Sequence, residues 1–165
     1  MSLAPQDIRT FFITSVTQGR RAILQSAKMA QLLMDVLQEN RTKGRFLLHE
    51  FVVMPDHFHL LITPAEDVSL EKAVQYIKGG FSFRARKELA FNGEIWERSF
   101  TNHRIKDHGD YETHRTYIRQ NPVSRFLAES PELYPYSSAH PGADVDGAPP
   151  WLKPGNVNAV RFSRA

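Results

Sequence analysis

Two imidazoles flank a phenylalanine in the run MPDHFHLLITP, residues 54–64. Side chains of a β-strand alternate with period two, so His57 and His59 share one face while Phe58, Leu60 and Ile62 point to the other. Such a strand packs its apolar side into a core and presents a pair of nitrogen donors on the other. Spacing alone leaves two readings open: part of a metal site, or two histidines on a strand face with no ligand.

The rest of the chain supplies partners for that strand. Residues 8–17, with Phe11, Phe12, Ile13 and Val16, read as a first strand that ends at Gln18-Gly19. Met29, Leu32, Leu33, Val36 and Leu37 form a helical apolar stripe that closes at Lys43-Gly44. Residues 45–54 read as a second strand, turning at Pro55-Asp56 into the histidine strand as an antiparallel hairpin. After Ser69, a candidate N-cap, Leu70, Ala73, Val74, Ile77 and Phe81 predict a second helix that frays near Gly79-Gly80. Residues 95–105 predict a fourth strand, and residues 110–120 a third helix. The order strand, helix, strand, strand, helix, strand predicts an α+β fold, a ferredoxin-like βαββαβ antiparallel sheet with two helices on one face. The opposite face is then left for the third helix. From Pro131 onward, prolines and glycines predict an irregular tail, strapped down by Tyr134, Tyr136 and Trp151.

Composition narrows the chemistry. The 165-residue length suits one domain, and the absence of cysteine excludes disulfides, a thiolate nucleophile and cysteine-ligated zinc. Any metal must therefore use histidine, amide or carboxylate donors. No apolar run approaches the roughly 20 residues that cross a bilayer, and MSLAPQDIRT has no export-signal pattern, so a cytoplasmic protein without a membrane partner is expected. A net charge of +3 leans weakly towards a polyanionic partner.

The third helix carries Tyr117-Ile118-Arg119-Gln120-Asn121-Pro122, and residues four apart lie one turn above each other, so Tyr117 and Asn121 are neighbours. A phenol and an amide so placed can serve as nucleophile and third metal ligand, giving a two-histidine, one-amide set suited to Mg²⁺ or Mn²⁺. The plainer reading makes Tyr117 a half-buried packing residue and Asn121 a helix C-cap. Pro122 disfavours helical geometry at Asn121, which predicts a kink or helix end there.

MPDHFHLLITP, followed by Lys78-Gly79, Gly93 with Trp96, YIRQNPV and YPYSS, resembles the single-tyrosine HUH transposases, most of all their REP-associated tyrosine transposase branch. The resemblance covers roughly residues 11–138. It implies metal ligation by His57 and His59, a metal-proximal amide at Asn121, and attack by Tyr117 on single-stranded or hairpin DNA. A 5′-phosphotyrosine intermediate would then allow cleavage and rejoining. It also implies a catalytic domain over residues 1–140 with a tail over 141–165, and a monomer, with a homodimer as the alternative. Lys78, Arg84, Arg86 and Lys87, interleaved with Phe81 and Phe83, are candidates to track phosphates and stack bases, as are Arg98, Arg104 and Lys106. Each has a solvated charged surface as its alternative. In the tail, Trp151, Arg161 and Arg164 are further DNA-contact candidates. His103, His108 and His114 show no ligand spacing and read as surface residues; His49 receives no role.

Competing classes fit less well. A histidine-triad hydrolase needs a third alternate position, and Pro55 and Leu61 fill those places. A His-x-His amidohydrolase needs a barrel of about 250 residues. The remaining rival is a domesticated, non-cleaving ferredoxin-like module that binds single-stranded nucleic acid without metal.

Overall fold

The computed structural model describes residues 8–154. Its order is β1 (Phe11–Val16), α1 (Ala27–Thr42), β2 (Phe46–Met54), β3 (His57–Pro64), α2 (Leu70–Leu89), β4 (Thr101–Arg104) and α3 (His108–Ser124). The strands form one antiparallel sheet in the order β2-β3-β1-β4, the predicted ferredoxin-like arrangement. Among the described residues, no helix is long and apolar enough to cross a membrane.

The alternation of β3 divides the molecule. Phe58, Leu60 and Ile62 join Ile13, Leu33, Leu37, Ile77 and Phe81 in the core beneath α1 and α2. Leu61 instead packs with Val52, Met54, Ile105, Tyr111 and Ile118 on the opposite face, where α3 lies. The two helices that back the sheet, α1 and α2, each begin at a serine cap: Ser26 accepts from Met29 N at 3.2 Å and Ser69 from Lys72 N at 3.1 Å. α2 does not fray at Gly79-Gly80 but runs to Leu89, and Phe81 and Ala85 of this continuation are fully buried. Packing outweighs the glycine propensity.

β4 is shorter than the predicted strand. Residues 95–100 leave the ladder so that Trp96 can pack edge-on against both Phe58 and Phe81, with ring centroids 5.4 Å apart in each case. Among the described residues, an isolated bridge from Thr17 to Trp96 ties that stretch to the sheet.

β2 carries a register shift between Leu48 and Glu50, leaving His49 as an extra residue. Beyond this bulge the strand's parity is reversed, so Phe51 and Val53 reach the main core while Glu50 points to α3. His49 points the same way, bonding Thr63 Oγ1 and the Gly147 carbonyl, each at 2.8 Å. Burial, the largest influence on this imidazole, lowers its pKa.

The irregular tail runs along the outer edge of β2. Val53 N donates to Tyr136 O at 2.8 Å, Ser138 N to Phe51 O at 2.9 Å, and Asp146 N to Leu48 O at 2.7 Å. Tyr134 adds its hydroxyl to Val53 O at 2.7 Å. Arg161 and Arg164 lie outside the described residues.

Candidate active site

On the α3 face, strand register builds a row of polar and aromatic side chains. Thr14 pairs with His59, Val16 with His57, and Phe12 with both Leu61 and His103. Asp107 caps the start of α3 by accepting from Asp110 N at 2.8 Å. The helix then lays Tyr111 and Ile118 onto the sheet and brings Tyr117 over the histidines.

The Tyr117 ring stands 5.2 Å from that of His59 and 6.0 Å from that of Phe12, edge-on to both. It remains 50% exposed, so its hydroxyl side is open to a large substrate. His57 and His59 have ring centroids 4.7 Å apart. One chain therefore brings together the phenol and the paired imidazoles.

Each imidazole is held by its Nδ1. His57 Nδ1 lies 2.7 Å from Asp56 Oδ1, and because a carboxylate only accepts, that nitrogen donates and leaves the Nε2 lone pair bare. His59 Nδ1 bonds Thr14 Oγ1 at 2.8 Å. Burial, then the neighbouring His57 and Arg125, push His59 down to about 3, so its ring is neutral and ligand-ready at ordinary pH. Desolvation raises the Asp56 carboxyl, but the hydrogen bond from His57 and the charge of Arg20 outweigh it and hold the group below its usual range.

Four buried side-chain atoms lack a hydrogen-bond partner among the described residues, and two of them belong to the predicted ligand set: His59 Nε2 and Asn121 Oδ1. Such orphans cost about 1–3 kcal/mol each. Both have a lone pair to offer a cation, so the residues present fit a divalent metal held by His57, His59 and Asn121. Asn121 lies inside α3, not at its end; the helix continues through Pro122 to Ser124 because Ile118, Asn121 and Pro122 are all buried in the helix–sheet contact. It occupies the same helical stripe as Tyr117 and Arg125, both of which line the cleft.

That cleft, about 410 Å³, also exposes Arg20, Phe12 and His114. Sequence reading missed Arg20 and Arg125; the signal for Arg125 was its position four residues beyond Asn121. It also missed a cluster. His103 from β4 and Asp110 and His114 from α3 place their ligand atoms within 4.8 Å of one another, a group that could bind a metal ion. The four-residue spacing of Asp110 and His114 was its only sequence signal, because His103 arrives through strand pairing.

The other cations are placed elsewhere. Lys78 is half-buried on α2, donating to Glu97 O at 2.7 Å and Ser99 O at 3.5 Å, and desolvation lowers its pKa. Arg84 pairs with Glu88 at 2.6 Å and Glu39 at 3.4 Å. Arg86 and Arg98 line a separate cleft of about 530 Å³ beside Trp96. Arg104 is exposed on β4 opposite Phe11, and exposed Lys106 precedes α3. None of these six side chains lines the Tyr117 cleft.

The imidazole supports give an expected result. Asp56→Ala and Thr14→Val should each weaken metal binding by about 10–100-fold, because outer partners orient a ligating histidine and set its basicity. Titration calorimetry with Mn²⁺ checks this, and unchanged affinity in both variants would refute the assigned ligand set.

A family description, Transposase IS200 like, matches residues 10–121. The REP-associated tyrosine transposase of Escherichia coli K12 is 27% identical over 132 residues, covering 79% of this chain and 76% of that protein. A Haemophilus influenzae protein provisionally named as a REP-associated tyrosine transposase is 36% identical over 98 residues, covering 53% of this chain; the match spans 56% of that relative's length. Among solved structures, a REP-associated tyrosine transposase bound to a REP hairpin superposes with a TM-score of 0.67 at 25% identity, over 95% of this chain and 93% of that one.

Proposed function

We propose, from the premise that this chain belongs to the IS200-like transposase family, that it cleaves and rejoins single-stranded DNA beside a hairpin through a covalent bond to Tyr117. The observation that carries this reading is the half-exposed Tyr117 ring set 5.2 Å from His59. His57, His59 and Asn121 would hold Mg²⁺ or Mn²⁺, which when bound supplies Lewis-acid charge at the scissile phosphate.

The protein's own groups do the rest. Phe12 and His59, both edge-on to the tyrosine ring, restrict its rotation and so hold the hydroxyl in the cleft. Arg20 and Arg125 give the walls positive charge that attracts phosphates on either side of the reacting one. Attack forms a bond from Tyr117 Oη to phosphorus and breaks the bond to the 3′ oxygen, leaving a 3′-hydroxyl and a 5′-phosphotyrosine. One phosphodiester replaces another, so a second 3′-hydroxyl can reverse the step and join new ends without ATP.

A hairpin substrate draws support from the solved structure of a relative bound to one. The monomer reading draws support from an active cleft assembled within one chain and from a tail that occupies the β2 edge.

The test is to incubate the protein with hairpin-bearing single-stranded DNA and Mn²⁺ or Mg²⁺, then look for a denaturant-resistant protein–DNA adduct. An adduct that disappears with EDTA is expected. DNA binding that persists in EDTA without any adduct under either metal would favour the non-cleaving binding module.

A further inference from the structure

We propose that His114, oriented by Asp110, is the base that takes the proton from the Tyr117 hydroxyl. This rests on the reading of Tyr117 as the nucleophile. A phenol titrates near 10 in water and is a poor nucleophile at neutral pH until it gives up that proton.

The hydrogen bonds determine the imidazole's tautomer. His114 Nδ1 lies 2.8 Å from the Asp110 carbonyl oxygen and 3.2 Å from its Oδ1. Both oxygens only accept, so Nδ1 bears the hydrogen and the neutral ring carries its lone pair on Nε2. That nitrogen has no hydrogen-bond partner among the described residues. Asp110 is itself fixed: its Oδ2 accepts from His103 Nε2 at 2.8 Å and from Lys106 N at 2.9 Å. His103 also stacks on His114, with centroids 4.8 Å apart and planes 19° apart. A carboxylate behind an imidazole holds the ring's orientation and stabilises the imidazolium that forms, the arrangement general bases use elsewhere.

His114 is also beside the phenol. It precedes Tyr117 by three residues, and helical side chains lean towards the N-terminus, so the tyrosine leans over the turn that carries His114. Both rings touch the same phenylalanine: Phe12 is 4.8 Å from His114 and 6.0 Å from Tyr117, and both residues line one cleft.

The step balances as follows. The Tyr117 Oη proton passes to His114 Nε2 as Oη bonds phosphorus, and the departing 3′ oxygen is protonated by water on the opposite side. In the reverse direction the incoming 3′-hydroxyl loses its proton to water, and the leaving phenolate regains one from the His114 imidazolium. The competing use of this cluster is a second metal centre with His103, Asp110 and His114 as ligands. A metal there would take up the His103, Asp110 and His114 atoms that now bond to one another.

The initial rate of adduct formation on hairpin DNA at saturating Mn²⁺ separates these possibilities. His114→Gln, which keeps a polar side chain but accepts no proton, should slow it by about 100-fold or more. DNA affinity and melting temperature should be preserved. His114→Ala should be equally slow and regain rate when free imidazole is added. His103→Ala should lose far less. A His114→Gln rate within about threefold of the parent overturns the proposal, as does a folded His114→Ala chain that imidazole does not revive. It is also overturned if His103→Ala matches the full loss and the parent binds an additional Mn²⁺ that both variants lack. Failure of the parent to form an adduct would instead remove the nucleophile reading, so the two failures are distinct.

Discussion

Tyr117→Phe should abolish the covalent DNA adduct while leaving the melting temperature within about 2 °C of the parent. The hydroxyl makes no hydrogen bond with the described residues, and the ring is half exposed, so its removal takes nothing from the core. The ring contacts with Phe12 and His59 survive the change. Other phenols are poorly placed to substitute. Burial pushes Tyr111 well above the ordinary tyrosine range. Burial, with Tyr136 adding, pushes Tyr134 up to about 12, and its hydroxyl is engaged with Val53 O. Gel electrophoresis of labelled hairpin DNA under denaturing conditions is the check, and an adduct surviving in Tyr117→Phe would eliminate this residue as the nucleophile.

Arg119→Ala, outside the cleft, should cost about 2–3 kcal/mol of stability, or roughly 5–10 °C in melting temperature for a domain this size. Glu50 is only 4% exposed. It accepts from Arg119 Nε at 2.9 Å and from the Ser138 hydroxyl at 2.9 Å, with Arg115 Nε at 3.7 Å. Removing Arg119 leaves a buried carboxylate with one distant cation. The cost falls at the low end for a broken buried pair because Arg119 is partly exposed and Arg115 remains. Since this contact fastens α3 to β2, the adduct rate should drop as well, although Arg119 does not line the cleft. Glu50→Gln should be milder, because a neutral amide is cheaper to leave half-satisfied. Thermal unfolding followed by circular dichroism decides the matter; an unshifted midpoint in Arg119→Ala would mean the ion pair does not fasten the helix.

The sheet and its two backing helices were legible because their signals are local. A period-two run placed Phe58 and His59 on opposite faces, and the stripe from Met29 to Leu37 gave α1 its buried side. The phenol–imidazole pairing was legible too, since Tyr117 arrives on a single helix over a strand whose parity is readable. What escaped depends on non-local geometry. The bulge at His49 inverts the alternation of β2, so counting from Leu48 would send Glu50 into the apolar core rather than towards Arg119. His103 meets His114 only through the pairing of β4 with β1. The breadth of β4 was misjudged because Trp96 suits a strand by propensity yet gains more from packing on Phe58 and Phe81. Cations read as DNA contacts from their spacing on α2 lie on the side of the sheet away from the histidines, where Arg84 is paired with acids of α1 and α2.

The segment from Tyr134 to Asp146 acts as a sheath on an otherwise adhesive border. β2 is nine residues long and almost wholly apolar, FLLHEFVVM, and a bare ladder of that kind recruits any extended strand that meets it. A shortened chain ending before Tyr134 would therefore lay this border open to sheet-to-sheet clumping. The smallest portion that stays dispersed must include residues that lie outside the Tyr117 cleft.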